Sequence, residues 1–426
     1  MDDKKEVVKR DKEDYIDLTR SEAQNHYRTE ATKEEVKVPE KQQTAANKIS
    51  DFFESKFFSW FFHYFKSRFG PRHDFQNYKG SEDNGVYRLE SSSAVNGEDK
   101  EISIGLAGDW ATDTNESDRI GVLIEKRKPD YTIHLGDTYF VGMKEEMRVN
   151  FIDENSSWYR GKSGSFSLMG NHEMYSRGIS YFRDLLPTLG IYSEEKKKYT
   201  GQKASYFCLE NEHWRIISLD TGYNSVGIPL IEYIFKPKCE FHDDIIDWLK
   251  NTLDLKNDKR GLILMTHHQY CSAFEEEYKK PAEQLAAIIG GEREVLWYWG
   301  HEHRLAVYGK FKSEKGITAY GRCIGNGGMP VEFKKKLKED KAKECRLILH
   351  DARKNTEIKN IDIGFNGFAI LKIKGADLKT EYYDINDKLL LTEKWTADIN
   401  TGKIKSEKID AVDKELSVYS KEKYLI

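Results

Sequence analysis

Short apolar runs recur from residue 102 onward, and most are closed by a glycine or a polar side chain. Residues 102–107, 131–135, 166–169, 214–219, 262–265 and 295–299 have this form. A run of that length bounded by turn residues predicts a strand buried on both faces, as in a largely parallel sheet. Between the first two runs, residues 117–128 set Ile120, Leu123 and Ile124 on one helical face, with Ser117 as the expected N-cap and Pro129-Asp130 as the stop. A strand–helix–strand unit with a crossover of that length implies parallel pairing. Helical spacing also covers residues 240–252 (Ile245, Ile246, Trp248, Leu249) and 281–289. Residues 368–373 and 381–385 alternate and predict antiparallel strands. The fold class expected is α/β: a two-layered mixed β-sheet sandwich flanked by helices.

The ends of the chain break the pattern. Residues 1–47 are charged and almost free of large apolar side chains, which predicts a flexible tail. Residues 48–97 hold an aromatic helix at 49–69 followed by a polar linker. In that helix Asp51, Ser55, Ser59, His63 and Ser67 recur every fourth residue as a narrow polar stripe. Two meanings stay open for it: a face packed on the rest of the protein or on a second copy, or an in-plane membrane anchor helped by Lys56, Lys66 and Arg68. The main domain is expected over 98–395, with a polar C-terminal tail over 396–426.

Composition narrows the function classes. The 68 basic and 72 acidic residues nearly balance, giving a net charge of -4, so no dedicated nucleic-acid binding is expected. Five scattered cysteines without C-x-x-C spacing favour a reducing compartment over a disulfide framework. With no apolar signal segment and no membrane-length apolar run, a cytoplasmic protein is expected, with peripheral membrane contact through 49–69 as the open alternative.

The chemistry lies where the strands stop. Asp109, Asp137, Asn171, His267, His301 and His303 each follow a predicted strand, although they span almost two hundred residues. In α/β sheets ligands collect at the carboxyl ends of strands, so these side chains can converge. Imidazole nitrogens and oxygens without a thiolate suit Mn, Fe, Zn or Mg rather than an iron–sulfur or Cu(I) site. In an extended stretch, His301 and His303 would face one side and Glu302 the other.

The runs Gly108-Asp109, Gly136-Asp137, Gly170-Asn171-His172-Glu173, His267-His268 and Gly300-His301-Glu302-His303, in this order, resemble the calcineurin-like metallophosphoesterase superfamily, which includes the purple acid phosphatases. The resemblance covers roughly residues 100–305. It implies a four-layer α/β/β/α fold and two divalent metal ions. Asp137 would bridge them, Asp109 and His303 would hold the first, and Asn171, His267 and His301 the second. It implies hydrolysis of a phosphate mono- or diester by a hydroxide activated between the metals, with His172 as general acid or electrostatic stabiliser and Glu173 orienting it. The substrate would be a small-molecule phosphoester or a phosphoprotein. Two positions depart from the pattern. Ala111 stands where many members place a histidine, and Phe140 stands where the purple acid phosphatases place a tyrosine, with Tyr139 one position early. Asp113, Tyr139 or water would then complete the first site, and no charge-transfer colour is expected. A competing class is a catalytically weak or inactive scaffold of the same fold, tethered by the 49–69 helix.

Other features have plainer readings. His134 is expected to be structural, Cys271 a packing residue, Asp220-Thr221 a turn, and Gly325–Gly328 a turn in preference to a phosphate contact. His268 is left between substrate contact and packing. The charged run 334–344 reads as a solvated loop or helix face.

Overall fold

The computed structural model describes residues 70–89, 100–154, 156–226, 238–333, 336–358 and 361–419. The expected tail at 1–47 and the aromatic helix at 49–69 lie outside the described residues.

In chain order, β1 (Ile102–Ala107), β2 (Tyr131–His134) and β3 (Gly164–Ser167) pair side by side in parallel. A second sheet then grows from β4 (Trp214–Ser218), β5 (Gly261–Thr266), β6 (Glu294–Trp299) and β7 (Thr318–Ile324), again parallel neighbours. The chain returns to the first sheet as the meander β8 (Gly367–Lys374), β9 (Asp377–Asp384), β10 (Leu389–Asp398) and β11 (Lys403–Ala411), with β8 antiparallel to β1. Further strands, among them Leu305–Lys312 antiparallel to β7, bring each sheet to nine among the described residues.

Side-chain alternation along the strands explains the layering. Leu296 and Tyr298 of β6 enter a core shared with Ile104, Ile133, Phe166 and Leu371 of the other sheet. Val295, Trp297 and Trp299 instead pack on the opposite face with Leu249 and Leu285, from helices Asp243–Asn251 and Lys279–Ile289. The first sheet is covered by α1 (Asn115–Arg127), whose Ile120, Leu123 and Ile124 meet Ala107 and Ile370. The result is the expected helix–sheet–sheet–helix stack, with two large mixed sheets.

One polar cluster bridges the two sheets through their core. Arg322 of β7 donates from Nε to Glu393 of β10 at 2.8 and 2.9 Å, and from Nη1 to the carbonyls of Tyr308 and Gly321. The Tyr382 hydroxyl and the Trp395 indole also donate to Glu393, so the buried carboxylate is fully engaged.

Several expectations need correction. Thr114, not Ser117, caps α1: Ser117 is the third helical residue and closes a reciprocal capping box with Thr114. The described part of the expected tail, residues 396–419, is not a tail. β11 pairs along β10, and Ile404, Ile409 and Leu416 are buried against the inter-sheet core. The alternation of Ile404 with charged residues is strand-like, but it reads as polar when only composition is weighed. The expected linker also contains structure, since Val86–Arg88 adds a strand beside Phe207–Glu210 and Tyr78 is buried. Part of the charged run, Glu339–Glu344, is a short helix, in keeping with the helix face expected for it. No described helix is long and apolar enough to cross a membrane.

Candidate metal centre

Parallel pairing aligns the carboxyl ends of β1, β2, β3, β5 and β6 at one rim of the stacked sheets, and the turns leaving them converge there. The backbone accepts strain to achieve this. Asp109, Asp137 and His301 all adopt left-handed conformations, with φ of 54°, 70° and 63°. Asp, Asn and His tolerate that region best among residues with a Cβ, at a cost of about 1–2 kcal/mol each. Gly170 allows a close approach: a Cβ there would lie 2.0 Å from Asp137 Oδ1.

Asp137 sits at the centre. Its Oδ1 accepts from the backbone N–H of His172 at 2.9 Å, and its Oδ2 lies 3.2 Å from His267 Nε2. His267 in turn directs Nδ1 to the carbonyl of Leu135 at 2.9 Å. With Nδ1 turned to that carbonyl, Nε2 faces the site. His301 Nδ1 lies 3.3 Å from His267 Nε2, and the His301 backbone N–H donates to Asp109 Oδ2 at 2.6 Å. His303 Nε2 lies 3.5 Å from Asp109 Oδ1. Ligand atoms of Asp109, Asp137 and His267 fall within 4.8 Å of one another, as do those of His267, His268 and His301. Asn171 presents a buried Oδ1 with no hydrogen-bond partner, while its Nδ2 donates to the Tyr175 hydroxyl at 3.0 Å. All six residues expected as ligands thus meet at one place.

Electrostatics follow the geometry. Burial works against ionisation of Asp137, but the neighbouring His267 and His172 outweigh it and hold the carboxyl well below its ordinary range. Burial likewise opposes charge on His267, yet the adjacent Asp137 carries its pKa up to about 9. Two buried carboxylates facing imidazoles in this way make a donor set suited to a cation. His268 is different. Burial, together with the nearby His301 and His267, pushes its pKa well below the ordinary value, and its Nδ1 shares a hydrogen bond of 3.0 Å with Thr221 Oγ1.

Tyr139 is the residue that sequence reasoning placed least firmly. Its hydroxyl lies 2.8 Å from Asp109 Oδ1, 3.2 Å from Asp137 Oδ2 and 2.9 Å from His303 Nε2. Its backbone N–H donates to the carbonyl of Ala111, so the two loops that depart from the family pattern pair with each other. The phenol therefore supplies an oxygen beside Asp109, the side left short of a ligand by Ala111. Asp113, the other candidate, takes its own left-handed turn, and its backbone N–H donates to Asn150 Oδ1.

The role expected for Glu173 does not match its contacts. Its Oε2 accepts from the backbone N–H groups of Asp137 and Gly170, at 3.2 and 2.8 Å, and so holds two turns together. Burial, then the charge of Asp137, raises its pKa to about 7. The His172 ring is oriented by the carbonyl of Phe140, 2.6 Å from Nδ1, which leaves Nε2 3.7 Å from Asp137 Oδ2. Glu302 faces away from the site as expected, accepting from Ser272 Oγ at 3.0 Å, although residues 301–303 form a bend rather than a strand. The glycine run also reads as a turn, with the Gly327 N–H donating to the carbonyl of Gly108. Asp220 accepts from the N–H groups of Gly222 and Tyr223, which is turn chemistry. Cys271 and the other four cysteines are buried and free.

A cleft of about 360 Å³ opens over these side chains, lined by Asp137, Tyr139, Asn171, His172, His301 and Arg304 among others. Residues 102–305 match the family model described as calcineurin-like phosphoesterase. Over that span the chain is similar to the calcineurin-like phosphoesterases. That similarity places it among the hydrolases of phosphoester bonds.

Similar solved structures include GAP50, the anchor in the inner membrane complex of Plasmodium, at 13% identity and a TM-score of 0.45, covering 70% of this chain and 89% of that one. Purple acid phosphatase PPD1 from yellow lupin is 13% identical with a TM-score of 0.45, covering 73% of this chain and 56% of the lupin chain. A dimetal phosphatase from Danio rerio is 11% identical with a TM-score of 0.42, covering 70% of this chain and 99% of that one. No curated protein matches the sequence.

Proposed function

We propose that this calcineurin-like domain hydrolyses a phosphate mono- or diester at a centre for two divalent metal ions. The observation that carries the reading is the buried, partnerless Oδ1 of Asn171, beside carboxylate and imidazole atoms that already lie within 4.8 Å of one another. An amide oxygen left bare in a buried site costs about 1–3 kcal/mol unless something binds it. A donor set of oxygen and imidazole nitrogen suits a divalent ion such as Mn, Fe, Zn or Mg.

Asp109, His303 and Tyr139 would hold one ion, and Asn171, His267 and His301 the other, with Asp137 between them. Such a pair supplies a water acidified to near-neutral pKa and positive charge for the phosphoryl oxygens. The remaining work belongs to the chain. Leu135 and Asp109 fix the ligand histidines by hydrogen bonds to His267 Nδ1 and the His301 N–H. Glu173 fixes the turns that carry Asp137 and Asn171. His172, held through Nδ1 by Phe140, turns Nε2 toward the cleft, where it would give a proton to the departing oxygen.

The test combines metal content with turnover. Purified protein reconstituted with Mn, Zn or Fe should bind about two equivalents and hydrolyse a generic aryl phosphate, and Asp137→Asn should abolish both. Tight metal binding without turnover on any mono- or diester would replace this reading with that of an inactive scaffold.

A further inference from the structure

Arg304 follows the His301-Glu302-His303 bend directly and lines the cleft, yet no role described so far uses it. Only 5% of its surface is exposed. Burying a guanidinium is expensive unless its donors find acceptors. The other buried arginines meet that demand. Arg322 is saturated by Glu393 and two carbonyls, Arg215 donates to Glu210 and to the carbonyl of Leu253, and Arg119 donates to the carbonyl of Ile385.

Arg304 differs. Its Nε has no hydrogen-bond partner, and its side chain donates no hydrogen bond among the described residues. Its charge partner is Glu302, whose Oε2 lies 3.8 Å from Nε, an ion-pair distance too long for a hydrogen bond, and accepts from Ser272 Oγ instead. What fixes the guanidinium is the Phe274 ring, whose centroid lies 3.9 Å from Cζ. An aromatic face holds a cation in place without occupying its N–H donors. The side chain is therefore held in place with its N–H donors uncommitted, in the wall of a cleft that also contains Asp137 and His172. Glu275 and Glu332 line the same cleft and have contacts of their own.

We propose that Arg304 grips a non-bridging oxygen of the substrate's phosphoryl group and biases the site toward dianionic monoesters. The inference rests on the phosphoesterase reading above. A guanidinium fork presents parallel N–H donors that match two oxygens of one phosphate. A monoester keeps three non-bridging oxygens and about two negative charges, so it can serve both the metal centre and this fork. A diester has two such oxygens and one charge. Arg304 is thus a specificity and binding residue, distinct from the groups that hold metal or move protons.

The experiment uses the full chain loaded with metal, with inorganic phosphate as the calorimetric probe. An aryl phosphate monoester and the matching bis-aryl diester serve as substrates. Arg304→Met should keep the metal equivalents and the thermal transition of the parent. It should weaken phosphate binding on the order of 10–100-fold, the loss expected for a charge-assisted bidentate contact. KM for the monoester should rise by a similar factor, with kcat changing less, while kcat/KM for the diester moves less than about 3-fold. Arg304→Lys should recover part of the phosphate affinity but not the full fork.

Unchanged phosphate affinity in Arg304→Met overturns the proposal. Loss of metal or of the folded transition in both variants also overturns it, by showing a structural role. Arginine-dependent phosphate binding in a parent that hydrolyses neither ester would sustain the anion site and sink the hydrolase reading. Absence of both phosphate binding and turnover would sink the two together.

Discussion

Replacing Gly170 with alanine isolates the geometric demand at the heart of the metal centre. Gly170 has φ -99° and ψ -170°, an extended conformation open to any residue, so the substitution adds no backbone strain. The added methyl is the whole perturbation. It would lie 2.0 Å from Asp137 Oδ1 and 2.8 Å from the Asp137 backbone nitrogen. Ordinary carbon–oxygen contact requires a retreat of roughly 1 Å, and overpacking of this kind costs about 1–3 kcal/mol. Asp137 cannot retreat freely, because His172 N–H, the Tyr139 hydroxyl and His267 all fix its carboxylate. Either the carboxylate gives up those partners or the turn carrying Asn171 moves away. Both routes separate the ligands, and displaced supporting contacts typically lower metal affinity by about 10–100-fold. Isothermal titration with Mn or Zn reads that loss, and thermal unfolding checks the fold. Gly80→Ala is the control: its φ of +71° brings strain of about 1 kcal/mol, but the new methyl meets nothing within 4 Å, so metal affinity should hold. Parental metal affinity and stoichiometry in Gly170→Ala would refute the idea that this turn presses directly on the bridging carboxylate.

Three further outcomes follow from the same contacts. Tyr139→Phe removes one oxygen beside Asp109 and leaves Asn171, His267 and His301 untouched, so elemental analysis should find about one metal equivalent weakened by 10-fold or more; two equally tight ions would exclude the phenol as a ligand. Glu393→Ala strands the Arg322 guanidinium between the sheets and should cost about 3–5 kcal/mol by urea unfolding, whereas Arg322→Met/Glu393→Leu should be far milder; equal losses would mean that packing, not the unpaired charge, governs the site. Burial pushes the Asp220 carboxyl up to about 6, so the folded state binds that proton more tightly than the unfolded chain. Its contribution is therefore greatest below the ordinary carboxylate range and is lost as pH rises toward 6, a swing of about 3 kcal/mol. Asp220→Asn has no such proton, so its stability relative to the parent should climb between pH 4 and 6 and then level; a constant difference across that window would contradict the shift.

The sequence by itself determined the strands, their order and the residues at their ends. A buried parallel strand must be apolar throughout and must stop at a turn, so runs such as 102–107 and 295–299 announce themselves locally, and the Asp and His that close them are visible in the same glance. It could also expose the departure at Ala111. It could not say what answers that departure, because the place of the Tyr139 hydroxyl depends on how two loops pair across a sheet. Composition misled at the C-terminus: the alternation around Ile404 and Ile409 is strand-like only once β10 lies beside it to share hydrogen bonds and bury one face. Local spacing also misassigned Ser117 and Glu173, whose partners are fixed by capping geometry and by a turn 36 residues away. Arg304 was silent for the same reason. A sequence names every donor, but whether a donor has found its acceptor is settled only when distant segments close around it, and that closure separates the saturated Arg322 from Arg304, whose Nε finds no hydrogen-bond acceptor.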